Sequence, residues 1–457
     1  MPSARFSILF VALLTTVAVT VPAQQVPEIS FALTGDSIIT RRLAVYSEPA
    51  FTRVIDLIRN ADVGFTNLEM LFHDYEPYAA AASGGTYMRA EPALVKELTW
   101  AGFDMVARAN NHTGDYGVLG MDLTTKYVAE AGLLQAGVGQ SLAEAREAKF
   151  LETTKGRVAL ISVASTFPDS SRAGRTRGDM PARPGLNPLR FTTTTTVTVE
   201  QMTALRGIAA ATSRRPAGSG ESMTYLGNRF VVGVQPGIRT EPLKEDLDEI
   251  AAVVRNARGL ADYVLVTIHA HEGQARDRLL PADFLVTFAR AMVDAGADMF
   301  VGHGPHVLRA IEIYKGKPIF YSLGDFIFQN ETLLRLPSEN YGTYNLNAAQ
   351  HVNDFNDARY NFDKSGFPAD PLIWEAVVAI PRFRGGVLSE VALHPITLGH
   401  GQARSVRGRP MQAEGALGAK ILADLTKLSA SYGTSISVRE GVGYVAVKTE
   451  SVRDGGS

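Results

Sequence analysis

Three stretches of the chain repeat one order of apolar and polar positions: an amphipathic helix, a glycine or short turn, an aspartate, an apolar run, then histidine. In EPALVKELTWAGFDMVARANNH, Pro92 suits a first helical turn, Leu94 and Leu98 share a face, and Gly102 ends the helix. Asp104 to Ala109 is then the strand. KEDLDEIAAVVRNARGLADYVLVTIHAH predicts a helix from about Leu243, a stop at Gly259, and a strand Tyr263 to Ile268 that runs into His269 and His271. PADFLVTFARAMVDAGADMFVGHGPH predicts the same, with Gly296 as stop and Met299 to Val301 leading to His303 and His306. SFALTGD, ending on Asp36, and ADVGFTNLE, ending on Glu69, add two more strands. Alternating helices and strands predict an α/β fold, in which ligands gather beyond the carboxyl ends of the strands.

This pattern weakens between about 166 and 240, where Gly, Pro, Arg and Thr dominate, and predicts an insertion over the sheet edge. Its arginines, Arg172, Arg175, Arg177, Arg183 and Arg190, suit carboxylates or phosphates if they are not simply solvated. An aromatic- and Asn-rich stretch, about 330–371, reads as a second covering loop. WEAVVAIPRFRGGVLSEVALHPITL then predicts a hairpin turned at Gly385-Gly386, followed by a helix near Ala413 to Ser431 and a strand Val442 to Val447. These close one domain over about 28–450. Ahead of it, Arg5, the apolar run Phe6 to Val21 and the small residues at Val21-Pro22-Ala23 read as a signal peptide over 1–23. The run is shorter than the roughly 20 residues of a spanning helix, so export to a periplasm or cell surface is expected, with an uncleaved anchor as the alternative.

Composition narrows the chemistry. With 46% hydrophobic and 20% charged residues, a packed core is expected, and a net charge of −2 from nearly balanced signs gives no global pull towards nucleic acid. Cysteine is absent from all 457 residues, which excludes disulfides, thiolate metal sites and cysteine nucleophiles. Histidine and carboxylate remain. Five of the nine histidines follow predicted strands (His112, His269, His271, His303 and His306), and with Asp36, Glu69 and Asn111 they form a mixed N/O donor set suited to Zn, Mn or Fe. His73, His351, His394 and His400 fall outside the pattern and are expected not to be ligands; Trp100 and Trp374 are expected in the core.

The motifs TGD (Thr34 to Asp36), NLE (Asn67 to Glu69), NNHTGDYG (Asn110 to Gly117), IHAHEG (Ile268 to Gly273) and GHGPHVLRAIEIYKGKPIFYSLGDFIF (Gly302 to Phe328) together resemble the CapA family. These are poly-γ-glutamate capsule synthesis proteins related to calcineurin-like metallophosphoesterases. The resemblance implies a four-layer αββα sandwich with one or two divalent metal ions. It makes Asp36, Glu69, Asn111, His269, His303 and His306 the ligands, Glu69 bridging. His112 would protonate a leaving group or hold an oxyanion, with Asp115 orienting it. Asn67, Asn110, His271, Arg172 and Arg175 are expected at the substrate. Three departures stand out: Asp36-Ser37-Ile38 lacks the histidine of the superfamily's Asp-x-His, Asp325 replaces a usual asparagine, and His303-x-x-His306 is one residue wider than His-x-His. His271 either replaces the missing ligand or supports one.

An exported metal-dependent hydrolase acting on an anionic polymer such as poly-γ-glutamate is the function these residues imply. The alternatives are a non-catalytic accessory that binds the polymer for export or assembly, with membrane-bound synthesis proteins as the expected partners, and a general periplasmic phosphoesterase.

Overall fold

Alternate positions along the central strands feed separate apolar layers. In the computed structural model, which describes residues 27–213, 218–275 and 277–447, the strand Glu28–Ile38 sends Ile29, Phe31 and Leu33 into one apolar cluster and Ala32 and Ile38 into another. The strand Tyr263–His269 sends Tyr263 and Leu265 into the first of these clusters and Val264, Val266 and Ile268 into a third. The shared cluster thus lies between two sheets.

One sheet has ten strands. Across its centre run Glu375–Arg384, Glu28–Ile38, Val63–Leu68, Met105–Ala107 and Leu134–Ala136, the last four parallel. Asp325–Phe328 also pairs parallel with Glu28–Ile38. The second sheet has six strands, with Met299–His303, Tyr263–His269 and Gly156–Ala164 side by side and parallel. Helices cover the outer faces. Pro49–Arg59 buries Phe51, Val54, Ile55 and Ile58 at helical spacing, and with Val95–Ala101 it packs on the first sheet. Lys244–Arg258 and Asp283–Asp294 do the same on the second. The result is a mixed α/β architecture, as the alternation of apolar runs and helices implied.

Most expected boundaries hold. Gly102, left-handed at φ +100°, closes Val95–Ala101; the hairpin strands Glu375–Arg384 and Val387–Thr397 flank Gly385-Gly386; the late helix is Gly415–Ala430 and the last described strand Val442–Val445. Trp374 is fully buried and Trp100 packs against the same cluster. Two regions are more regular than their sequence suggests. The stretch 166–240 contains a four-stranded sheet with Phe191–Val197 inside it, where five β-branched threonines extend the backbone, and the helix Val199–Thr212 opened by a Thr198/Gln201 capping box. The stretch 330–371 holds the helices Ser338–Thr343 and Val352–Tyr360 instead of one irregular loop. No helix among the described residues is long and apolar enough to cross a membrane, and the segment read as a signal peptide lies outside them.

Strand register sets the chemistry in rows. Asp36 lies beside Asn67 and Asp325, Asn67 beside Ala107, and His269 beside His303. The Glu28–Ile38 strand does not stop at Asp36 as expected. It continues two residues, and its register slips at Asp36 against both neighbours, an irregularity of the kind that re-aims a side chain next to a site.

Candidate metal centre

Parallel strands from both sheets deliver their ends to one buried place. Three overlapping groups, Asp36/His269/His303, Glu69/His269/His271 and Asp36/Glu69/His306, each keep their ligand atoms within 4.8 Å of one another. Asp36 Oδ1 is 3.6 Å from His269 Nδ1 and 3.5 Å from His303 Nδ1, while its Oδ2 is 3.8 Å from His306 Nδ1. Glu69 Oε1 lies 3.8 Å from His269 Nε2 and 3.6 Å from His112 Nε2. None of His73, His351, His394 and His400 belongs to any of these groups.

The donor set fits a cation. Both Glu69 oxygens, Asn111 Oδ1 and Asp325 Oδ2 are buried with no hydrogen-bond partner, an arrangement expensive for polar atoms unless something positive completes it. Imidazole nitrogens converge in the same way: His269 Nδ1 is 3.0 Å from His303 Nδ1, and His269 Nε2 is 2.9 Å from His271 Nε2. Burial pushes the His303 pKa down to about 3; burial, then neighbouring histidines, pushes His269 and His271 well down, so all three are held as neutral imidazoles, the form that binds metal. Burial, then the Asp36 charge, pushes the Glu69 carboxyl well up. His306 is the exception: burial opposes its charge, but Asp325, Glu69 and Asp36 outweigh burial and raise its pKa.

Supporting contacts hold the ligands in place. Gly304, at φ +112°, donates its N–H to Asp36 Oδ2 at 2.8 Å, and a Cβ there would sit 3.0 Å from Ala270 N and 3.2 Å from His269 Cε1. Thr267 Oγ1 is 2.7 Å from His303 Nε2. Asn67 donates to Asp36 Oδ1 at 2.7 Å and lies 3.3 Å from His269 Nδ1; Asn110 donates to Leu68 O and accepts the His112 N–H. These two amides, expected at a substrate, are thus committed to the scaffold beneath the ligands.

His112 completes the edge of the cluster. Its Nδ1 is 2.7 Å from Asp115 Oδ2, and Asp115 is itself fixed by the N–H groups of Gly84 and Met88. That pairing aims Nε2 at Glu69. Gly84 presses on the same loop: a Cβ there would lie 2.4 Å from Asn111 O, and Asn111 donates to Gly84 O at 3.0 Å. The insertion meets this centre through Thr166, whose hydroxyl accepts the His271 N–H. Two of its arginines meet carboxylates: Arg175 pairs with Glu245 and Glu249, and Arg172 lies 3.8 Å from Asp169. Asp325, which stands where the family usually has asparagine, faces His306. It accepts a hydrogen bond from His306 Nδ1 at 2.8 Å, and the signal available was the repeat of Gly-Asp at a strand edge, in LTGD and again in SLGD.

The family model described as "Bacterial capsule synthesis protein PGA_cap" matches residues 30–330. The chain is 38% identical over 428 residues to the uncharacterized protein y4sH of Sinorhizobium fredii, covering 90% of this chain and 91% of that one. It is 28% identical over 280 residues to the capsule biosynthesis protein CapA of Bacillus anthracis, covering 61% of this chain and 53% of the relative. A probable polyglutamine synthesis accessory protein of Mycobacterium tuberculosis is 28% identical over 242 residues, with 52% and 49% covered. The motifs converge where the matched region folds, and the chain belongs to the PGA_cap family of bacterial capsule synthesis proteins.

Proposed function

We propose that this chain is an exported, metal-dependent hydrolase of the capsule polymer, acting on poly-γ-glutamate or on a phosphoester, on a four-layer sandwich of the metallophosphoesterase type. One observation carries the proposal: Asp36, Glu69, His269, His271, His303 and His306 converge with unpartnered Glu69 oxygens, beside a His112–Asp115 pair. These residues would hold a divalent cation such as Mn, Zn or Fe, which would supply charge stabilisation and lower the pKa of a water towards neutrality.

The remaining work falls to the chain's own groups. Asp115 keeps His112 Nδ1 engaged, so Nε2 faces the cluster and can deliver a proton. In hydrolysis the scissile ester or γ-amide bond breaks as a water oxygen bonds to the phosphoryl or acyl centre; the leaving atom takes its proton from His112 Nε2, and the proton the water gives up returns to that nitrogen. Asn67 and Gly304 fix the Asp36 carboxylate while this happens. Substrate contacts come from His271, the one intermediate-exposure member of the cluster, and from Arg172 and Arg175 at the insertion.

A second reading is favoured by the deep burial of the ligands and by the accessory role in one relative's name: a metal-stabilised protein that binds the polymer beside membrane-bound synthesis proteins without cleaving it. Turnover of poly-γ-glutamate and of a generic phosphodiester, measured with metal content before and after His112→Ala, separates the two. Loss of turnover with metal retained supports hydrolysis; a metal-loaded wild-type protein that turns over neither substrate supports the binding role.

A further inference from the structure

A cavity of about 250 Å³ is lined by Arg41, Arg42 and Arg89 together with Thr332 and Leu334. Three guanidinium nitrogens here, Arg41 Nε and Nη1 and Arg89 Nη1, are buried with no acceptor. Arg89 is 4% exposed; its Nε donates to His73 O, its Nη2 pairs with Asp74, and its guanidinium lies over the Tyr75 ring. Arg41 Nη2 donates to Arg407 O, and no carboxylate among the described residues forms an ion pair with Arg41. Arg42, by contrast, is held by Glu97. The acid on the cavity wall is Glu91, which is exposed. Burial disfavours the Arg41 cation; Tyr46 and Glu331 favour it, and the Arg409 and Arg407 charges oppose it. Buried donors without acceptors call for an anion.

The walls also tie this cavity to the metal centre. Arg41 follows five residues after Asp36 on the same chain segment, a reach of at most about 18 Å. Arg89 is next to Met88, whose N–H holds Asp115. Thr332 follows the Asp325–Phe328 strand, and its hydroxyl is 2.6 Å from that of Thr40. Three segments thus carry a contact to the centre at one end and a wall of the cavity at the other.

We propose that the Arg41/Arg89 cavity is an oxyanion subsite that holds a carboxylate or phosphate group of the ligand, on chain segments that also reach the metal centre. Its link to the centre rests on the hydrolase or polymer-binding reading, but the anion site itself does not. Arginine forks suit it because planar, paired donors match either oxyanion.

Isothermal titration of the full-length protein with tri-γ-glutamate and with inorganic phosphate tests it, as purified and after chelator treatment, with Arg41→Gln alongside. The expected result is that Arg41→Gln weakens anion binding by at least about tenfold, with metal content and melting temperature unchanged. Preference for tri-γ-glutamate identifies a polymer carboxylate as the occupant, and preference for phosphate a phosphoryl group. Equal binding by wild type and Arg41→Gln overturns the proposal, as does binding of neither anion. Should Arg41→Gln fail to fold, Arg41→Lys keeps the charge without the fork: weakened binding in that folded variant supports the subsite and unchanged binding overturns it. Because binding is read without turnover and with metal removed, a failed hydrolase reading leaves this result independent.

Discussion

His112 and Asp325 show how single side chains tune the centre. His112 touches Asp115 on one side and Glu69 on the other, so on the hydrolase proposal its replacement removes the proton donor and leaves the proposed ligands in place. His112→Ala is expected to lower turnover by about 10²- to 10⁴-fold while metal content stays at the wild-type level, measured by steady-state kinetics with parallel elemental analysis. Asp325 acts through His306. Asp325→Asn keeps an acceptor for the His306 N–H but removes the charge that favours it, and is expected to weaken metal binding by about tenfold in competition with a chromophoric chelator. Unchanged affinity would make Asp325 a packing residue only. The sequence marked Asp325 as unusual but not as a partner of His306, because that contact depends on a pairing between strands far apart in the chain.

At the level of elements, what could be read in advance was whatever is local. Apolar runs ending on polar chemistry, the Gly102 stop and the hairpin at Gly385-Gly386 depend on neighbours in sequence, and the structure has all of them. The helix Ser338–Thr343 has no buried residue and no apolar period, so its existence rests on tertiary surroundings and was invisible. The arginines of the insertion were visible as cations, yet their destinations were not: Arg190 bonds Asp246 on the helix Lys244–Arg258, which Arg146, from outside the insertion, also bonds. Burial raises the Asp246 pKa, but these arginines outweigh it and hold the carboxyl below its usual range. A lowered folded pKa gives stability that is present above the unfolded pKa of about 3.9 and is lost as pH falls through the folded value. Asp246→Asn is therefore expected to cost about 3 kcal/mol near neutral pH and progressively less under acid, in urea unfolding at several pH values. A penalty independent of pH would contradict the ion-pair account. Gly304→Ala tests the turn between the two sheets: left-handed backbone and crowding by Ala270 and His269 predict a lower melting temperature together with weaker metal binding.

Over the whole molecule, two parallel strand sets face each other through one apolar cluster and present their ends at the same buried centre. A cation held there would couple to the fold, since a cation that binds only the native chain stabilises it by about 2.7 kcal/mol at a free concentration a hundred times its Kd. Chelation is expected to lower the melting temperature and re-addition of Mn, Zn or Fe to restore it. The most direct measurement is the divalent metal content of the purified protein and of an Asp36→Ala, His303→Ala variant, by mass spectrometry of the ashed samples. About one to two ions per wild-type chain, lost in the folded double variant, is the predicted result. A folded wild-type chain that takes up no divalent metal from any of the three salts, or a variant that keeps the full complement, would contradict it.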